Sequence, residues 1–131
     1  MDTNETQETV TYVCAFNAQC PTRLILNRIA DKWTVLVMIL LESETKRFSS
    51  LQREIGGISQ KMLTQTLRGL ERDGLVTRKI HATVPPKVEY SLTALGHTLK
   101  DLLYAIKTWS ETHINEVVTA QKSYDRKNMK S

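Results

Sequence analysis

Residues 48–92 alternate stops and starts in a way that few folds accommodate. A short helix, two glycines, a second helix and a glycine turn are followed by two basic β segments around a proline pair. Phe48-Ser49-Ser50-Leu51-Gln52 predicts a helix start, with Ser49 as N-cap and Gln52 three residues on completing a capping box. Gly56-Gly57 predicts its end, because glycine takes the left-handed conformation that closes a helix without steric cost. Ser59 predicts the cap of the second helix, with Ile58 and Leu63 at the two ends of a hydrophobic staple. Asp73-Gly74 stops that helix. Two helices joined by a short glycine-containing turn form the unit that lays a recognition helix in the DNA major groove.

The second helix has two faces of different chemistry. Leu63, Leu67 and Leu70 keep the spacing of a buried stripe. Lys61, Thr64, Gln65 and Arg68 recur at helical spacing on another face, with Gln60 beside them near the start. Arg and Lys donate to guanine, Gln pairs with adenine, and Thr hydrogen-bonds or touches a thymine methyl. A solvated helix face has the same composition, so this face alone leaves both readings open. Past Gly74, Leu75-Val76-Thr77-Arg78-Lys79-Ile80 predicts a strand and Lys87-Val88-Glu89-Tyr90-Ser91-Leu92 its partner. The tip between them is stiffened by Pro85-Pro86, whose rings fix φ. Arg78, Lys79 and Lys87 surround it. A stiff cationic hairpin beside such a helix suits a phosphate backbone, although an ordinary surface hairpin looks the same residue by residue.

Several motifs recur here in order. They are Ile58-Ser59-Gln60-Lys61-Met62-Leu63-Thr64-Gln65, then Leu67-Arg68, Leu70-Glu71 and Asp73-Gly74-Leu75-Val76, then Val84-Pro85-Pro86-Lys87-Val88-Glu89-Tyr90-Ser91-Leu92-Thr93 with Gly96. Together with Cys20-Pro21 and Asp31-Lys32-Trp33-Thr34, this order resembles the HxlR family of bacterial winged-helix regulators, relatives of the MarR group. Ala30-Asp31 stand where that family usually has glycines before Lys-Trp. The resemblance spans roughly residues 20–110 and implies a homodimeric regulator that binds double-stranded operator DNA. It implies DNA contacts from the recognition helix for Ser59, Gln60, Lys61, Thr64, Gln65 and Arg68, the last five reading or approaching bases, and wing contacts for Arg78, Lys79 and Lys87. It adds backbone contacts for Lys32, Arg47 and Ser49. The expected fold is mainly α with a small β-hairpin wing, flanked by N- and C-terminal dimerisation helices.

Charge distribution agrees. The chain has 131 residues and a net charge of +4, enough for one domain with a core and little more. Residues 46–100 hold ten Lys or Arg against four Asp or Glu, while residues 1–22 hold three acids and neither Lys nor Arg. Positive charge therefore sits where a polyanion is expected. The longest apolar run, residues 35–41, is far short of the roughly 20 residues of a membrane span, so no membrane partner is expected. The start has neither a basic n-region nor an apolar h-region, which predicts a cytoplasmic product.

The rest reads as support and dimerisation. Residues 1–13 are polar and acidic and predict a flexible segment; residues 14–121 predict the winged-helix domain, and residues 122–131 a basic, frayed tail. Pro21 introduces a short helix in its first turn, and Asp31 caps a buried helix over residues 32–41. Thr93 caps a long helix over residues 94–120, with Leu95, Leu99, Leu102, Ile106 and Trp109 as a stripe widened by Leu103 and Val117. About 27 residues reach roughly 40 Å, more than one small core needs, and predict self-association.

The cysteines keep two readings. Cys20 is the cysteine of the resemblance's Cys-Pro signature, and some members of that family sense oxidants or electrophiles through a cysteine in this region. A helix N-terminus and Arg23 would favour its thiolate; a reduced structural thiol is the bland alternative. Cys14 is a candidate resolving partner from the same or the other subunit, or simply a packing residue. A small electrophile or oxidant is thus a candidate effector, with a non-redox ligand as the alternative. Cys14, Cys20, His81, His97 and His113 match no structural zinc spacing, and no P-loop, Gly-x-Ser-x-Gly or His-Glu-x-x-His motif occurs, so neither cofactor nor enzyme activity is expected. A basic module that binds an acidic protein remains the third class; a preference for one duplex sequence over random DNA separates the two.

Overall fold

In a computed structural model, residues 14–129 are described, in the order α1 (Thr22–Ile29), α2 (Lys32–Ser43), β1 (Lys46–Arg47), α3 (Phe48–Glu54), α4 (Gln60–Arg72), β2 (Val76–His81), β3 (Lys87–Leu92) and α5 (Ala94–Met129). The segment expected to be flexible, residues 1–13, lies outside them.

The helix-turn-helix forms where the capping residues direct it. Ser59 Oγ accepts the Met62 N–H at 3.0 Å, satisfying one of the free amides at the start of α4. Asp31 Oδ1 does the same for Trp33 at the start of α2. Gly57 and Gly74 hold positive φ values of 84° and 76°; Gly74 turns the chain out of α4, while Gly57 lies in the Ile55–Ile58 turn after α3, which the extended Ile55 has already ended. Thr93 links the turn after α4 to the start of α5. Its hydroxyl donates to Gly74 O at 2.6 Å and accepts from Gly96 N at 2.9 Å.

The core gathers apolar residues of α2, α3, α4 and α5 against the sheet. Val37, Met38 and Leu41 of α2, Leu51 of α3, Leu63, Leu67 and Leu70 of α4, Val76, Leu92 and Leu103 are all buried. Burying each such side chain contributes about 1.5–3 kcal/mol relative to leaving it in water. The leucine stripe of α4 is therefore what turns its polar face outward.

Three expectations change. Ser49 does not cap α3: Arg47 stands at the N-cap, extended at φ −88° and ψ 161°, and Ser49 lies exposed inside the first turn. The cause is β1, which the sequence pattern did not announce. Lys46 and Arg47 pair antiparallel with Tyr90 and Glu89, so the sheet has three strands in the order β1-β3-β2, and Phe48 is the first residue free to turn helical. Pro21 sits at the N-cap of α1, one position before the first turn. The stretch read as a basic tail from residue 122 is helical through Met129, giving α5 36 residues and about 54 Å. No proline or glycine interrupts residues 97–129, so nothing stops that helix earlier.

Candidate nucleic-acid interface

On α4 the stripe of leucines faces inward, so the polar residues are forced to the opposite side. Gln60, Lys61, Gln65 and Arg68 are exposed, and Thr64 is half-buried beside them. Together these five line one shallow groove on the helix. Ser59 differs from the other expected contacts, because its hydroxyl is already engaged by Met62 N–H. It still has acceptor capacity, but its first task is the cap.

Between α4 and the root of the wing lies a cleft of about 340 Å³. Gln60, Thr64, Arg68 and Glu71 form its helical wall, Arg78 and Tyr90 its strand wall. Strand register explains the arrangement. Arg78 and Tyr90 are cross-strand partners and share a face, as do Lys79 and Glu89 on the opposite face, followed by His81 and Lys87. The three expected wing cations therefore split. Arg78 points back to the recognition helix, where its Nε lies 3.5 Å from Glu71 Oε1. Lys79 and Lys87 occupy the outer face, where Glu89 is held by His81 Nε2 at 2.5 Å. Arg47 joins that outer face as the other cross-strand neighbour of Glu89.

Tyr90 was not among the expected site residues, and neither was Glu71. Burial pushes the Tyr90 phenol above its ordinary value of 10. Arg78 pulls it down, Glu71 pushes it further up, and Arg68 opposes. The phenol stays protonated at neutral pH and lines the cleft with Arg68 and Arg78. Its only signal in the sequence was the alternation Val88, Tyr90, Leu92, which identifies the inner face of a strand and not a polar role.

Lys32 lies elsewhere. Its ammonium sits 4.5 Å over the Trp33 ring, and it lines a separate groove of about 700 Å³ between α1, α2 and α5, with Leu26, Val35 and Ile106. Ser49 is exposed on α3. Cys14 and Cys20 are joined by an intrachain disulfide with Cα atoms 5.5 Å apart. Cys20 is 5% exposed, so it is not an open surface thiol.

A short helix, a glycine turn, a second helix with an outward polar face and an adjoining cationic wing together define a winged helix-turn-helix regulator of transcription. The HxlR-like helix-turn-helix family model matches residues 28–118, and the chain belongs to that family. It is 43% identical over 106 residues to the HTH-type transcriptional regulator YtfH of Escherichia coli K12, covering 81% of this chain and 84% of that one. Among solved structures, a transcriptional regulator ytfH from Salmonella typhimurium superposes with a TM-score of 0.77 at 42% identity, covering 82% of this chain and 96% of that one. The redox regulator HypR in its oxidised form superposes at 0.66 and 42% identity, covering 71% and 96% respectively. Family and fold agree with the resemblance drawn from the motifs. Among the described residues no helix is long and apolar enough to cross a membrane.

Proposed function

We propose that this regulator acts as a homodimer on an inverted-repeat operator, with α4 in the major groove, and that closing the Cys14–Cys20 disulfide changes its affinity. The observation that carries the DNA reading is the contiguous outward face of Gln60, Lys61, Thr64, Gln65 and Arg68 beside the Arg78–Tyr90 cleft. Donors and acceptors suited to base edges thus sit next to cations suited to phosphates. In this reading Lys79, Lys87 and Arg47 approach phosphates from the outer face of the wing, while Lys32 and Ser49 contribute less.

Dimerisation is supported by α5. Beyond Leu103 none of its described residues is buried, while Ile106, Trp109, Ile114 and Val117 are exposed at 41, 59, 49 and 38%. An apolar face of that extent on one helix marks an association surface. The redox part is supported by the disulfide itself and by the likeness to HypR, a redox regulator. Two thiols lose two electrons and two protons, the sulfurs bond, and an oxidant such as a diazene takes up both to become a hydrazine.

A second reading has its own observation. The groove between α1, α2 and α5 is largely apolar, with Lys32 on one side and Lys107 paired with Glu111 at 3.0 Å on the other, a setting for an apolar effector acting without any thiol chemistry. Selection of bound sequences from random duplex DNA, run with reduced and diamide-oxidised protein, tests the main reading. Enrichment of an inverted repeat whose affinity differs between the two states supports it. Enrichment with equal affinity after verified oxidation leaves the ligand-responsive reading.

A further inference from the structure

Arg28 ties α1 to the recognition helix, and the tie explains a glycine inside that helix. The disulfide closes the loop from Cys14 to Cys20. Cys20 O accepts the Arg23 N–H at 3.0 Å, which fixes the loop's end to the first turn of α1. Arg28, near the other end of α1, crosses to α4. Its Nε donates to Asp73 Oδ2 at 2.6 Å, and both side chains are only 28% exposed. The rest of the guanidinium lies flat on Gly69. A Cβ at that position would stand 2.7 Å from the guanidinium carbon and 2.9 Å from Nη2, and closer still to Nη1.

Glycine is costly in a helix interior, and nothing in the backbone of α4 calls for one there. The guanidinium supplies the reason, since only a bare Cα leaves it room. The cation also meets the C-terminal end of the helix, where the helix dipole favours positive charge. Asp73 is the C-cap of α4 and directly precedes the turn that starts the wing, so a displacement of Arg28 acts on the recognition helix and the wing root together.

We propose that Arg28, seated on Gly69 and bound to Asp73, is the positioning residue that relays the state of the Cys14–Cys20 loop to the recognition helix. This rests on the redox reading above. Opening the disulfide releases the loop that holds the start of α1. As a short rigid helix, α1 carries that change to Arg28 at its far end. Arg28 touches no DNA; it acts through α4.

The test measures affinity for a duplex selected with wild-type protein, in the dithiol and disulfide states, with thiol titration verifying each state. The wild-type ratio between the states is expected within about 5- to 150-fold, the usual range for coupled sites. Arg28→Met keeps the stem but removes the fork, and should reduce the ratio below twofold while the disulfide still forms. Gly69→Ala leaves both charges, improves helix propensity and unseats the guanidinium; it should also reduce the ratio, without loss of thermal stability. Arg28→Lys, which keeps a cation opposite Asp73, should restore part of the ratio relative to Arg28→Met. A wild-type ratio retained in Arg28→Met or in Gly69→Ala overturns the relay while leaving redox control intact. A wild-type affinity indifferent to the disulfide overturns redox control, and the relay with it.

Discussion

Arg78 on the wing and Glu71 on α4 face each other at 3.5 Å, so the wing cation beside the polar face of α4 is already held by a carboxylate. Both side chains are about half exposed, and water weakens such a pair. The pair therefore orients Arg78 more than it stabilises the fold. Glu71→Gln should release Arg78 towards phosphate, raise affinity for all duplexes and steepen the dependence of log K on log salt by about one unit. Arg78→Ala should leave that dependence near the wild-type value and, added to Glu71→Gln, should abolish the steepening. A salt titration on random-sequence duplex reads both. An unchanged slope in Glu71→Gln would mean that breaking the pair gives Arg78 no new phosphate contact.

The two sets of site residues separate in a different measurement. Arg68→Ala or Gln65→Ala should weaken operator binding by about 1–3 kcal/mol and relax preference at one position in each half-site. Lys79→Ala or Lys87→Ala should lower affinity for operator and random duplex alike. Competition between operator and random DNA distinguishes the two patterns. If the wing lysines altered base preference and the helix residues did not, the roles would be reversed.

Capping offers a check on the fold itself. Ser59→Ala removes the acceptor for Met62 N–H and should cost about 1 kcal/mol, or about 4 °C in melting temperature for a domain of this size. Ser49→Ala should change stability by less than about 0.5 kcal/mol, because Ser49 is exposed inside α3 and caps nothing. Equal losses from the two would contradict the observed start of α3.

That contrast also shows what local pattern can and cannot reveal. Ser59 was legible because its cap, staple and leucine stripe are all within a dozen residues and point to the same helix. Ser49 satisfied the same local rule, yet β1 overrode it through pairing with Tyr90 and Glu89, more than 40 residues away. The polar face of α4 could be read from spacing alone. The Arg78–Glu71 pair, the place of Tyr90 in the cleft and the seat of Arg28 on Gly69 could not, since each depends on two elements meeting in space. The end of α5 differs for another reason: a run of charged residues looks like a frayed tail in sequence, although none of them breaks a helix.

Self-association along α5 predicts a sharp division between neighbouring positions. Leu103 is fully buried in the core, so Leu103→Ala should cost about 2–5 kcal/mol and lower the melting temperature. Trp109 is 59% exposed in the single chain, and Trp109→Ala or Ile106→Glu should leave each subunit folded while dissociating the dimer. Operator binding should weaken in parallel, because two recognition helices about 34–36 Å apart, or a multiple of one turn, need both subunits. Sedimentation of the wild type as a monomer at micromolar concentration, together with tight binding to one half-site, would refute this.

The intrachain disulfide makes a prediction that distinguishes it from other thiol chemistry. With Cys14 and Cys20 in one chain, oxidation by diamide should remove two hydrogens per subunit and leave the denatured, non-reduced protein at monomer mass. Dithiothreitol should reverse it. Because the bond needs both sulfurs, Cys14→Ser and Cys20→Ser should lose the oxidant response equally, while both still bind operator in reducing buffer. Cys20 is almost fully buried, so Cys14 is the more accessible of the pair, and its mutation is the informative one. An oxidant response that survives in Cys14→Ser would point to an oxidised Cys20 rather than a disulfide as the signalling state. A covalent dimer on the denaturing gel would move the bond between subunits, in conflict with the 5.5 Å separation of the two Cα atoms in one chain.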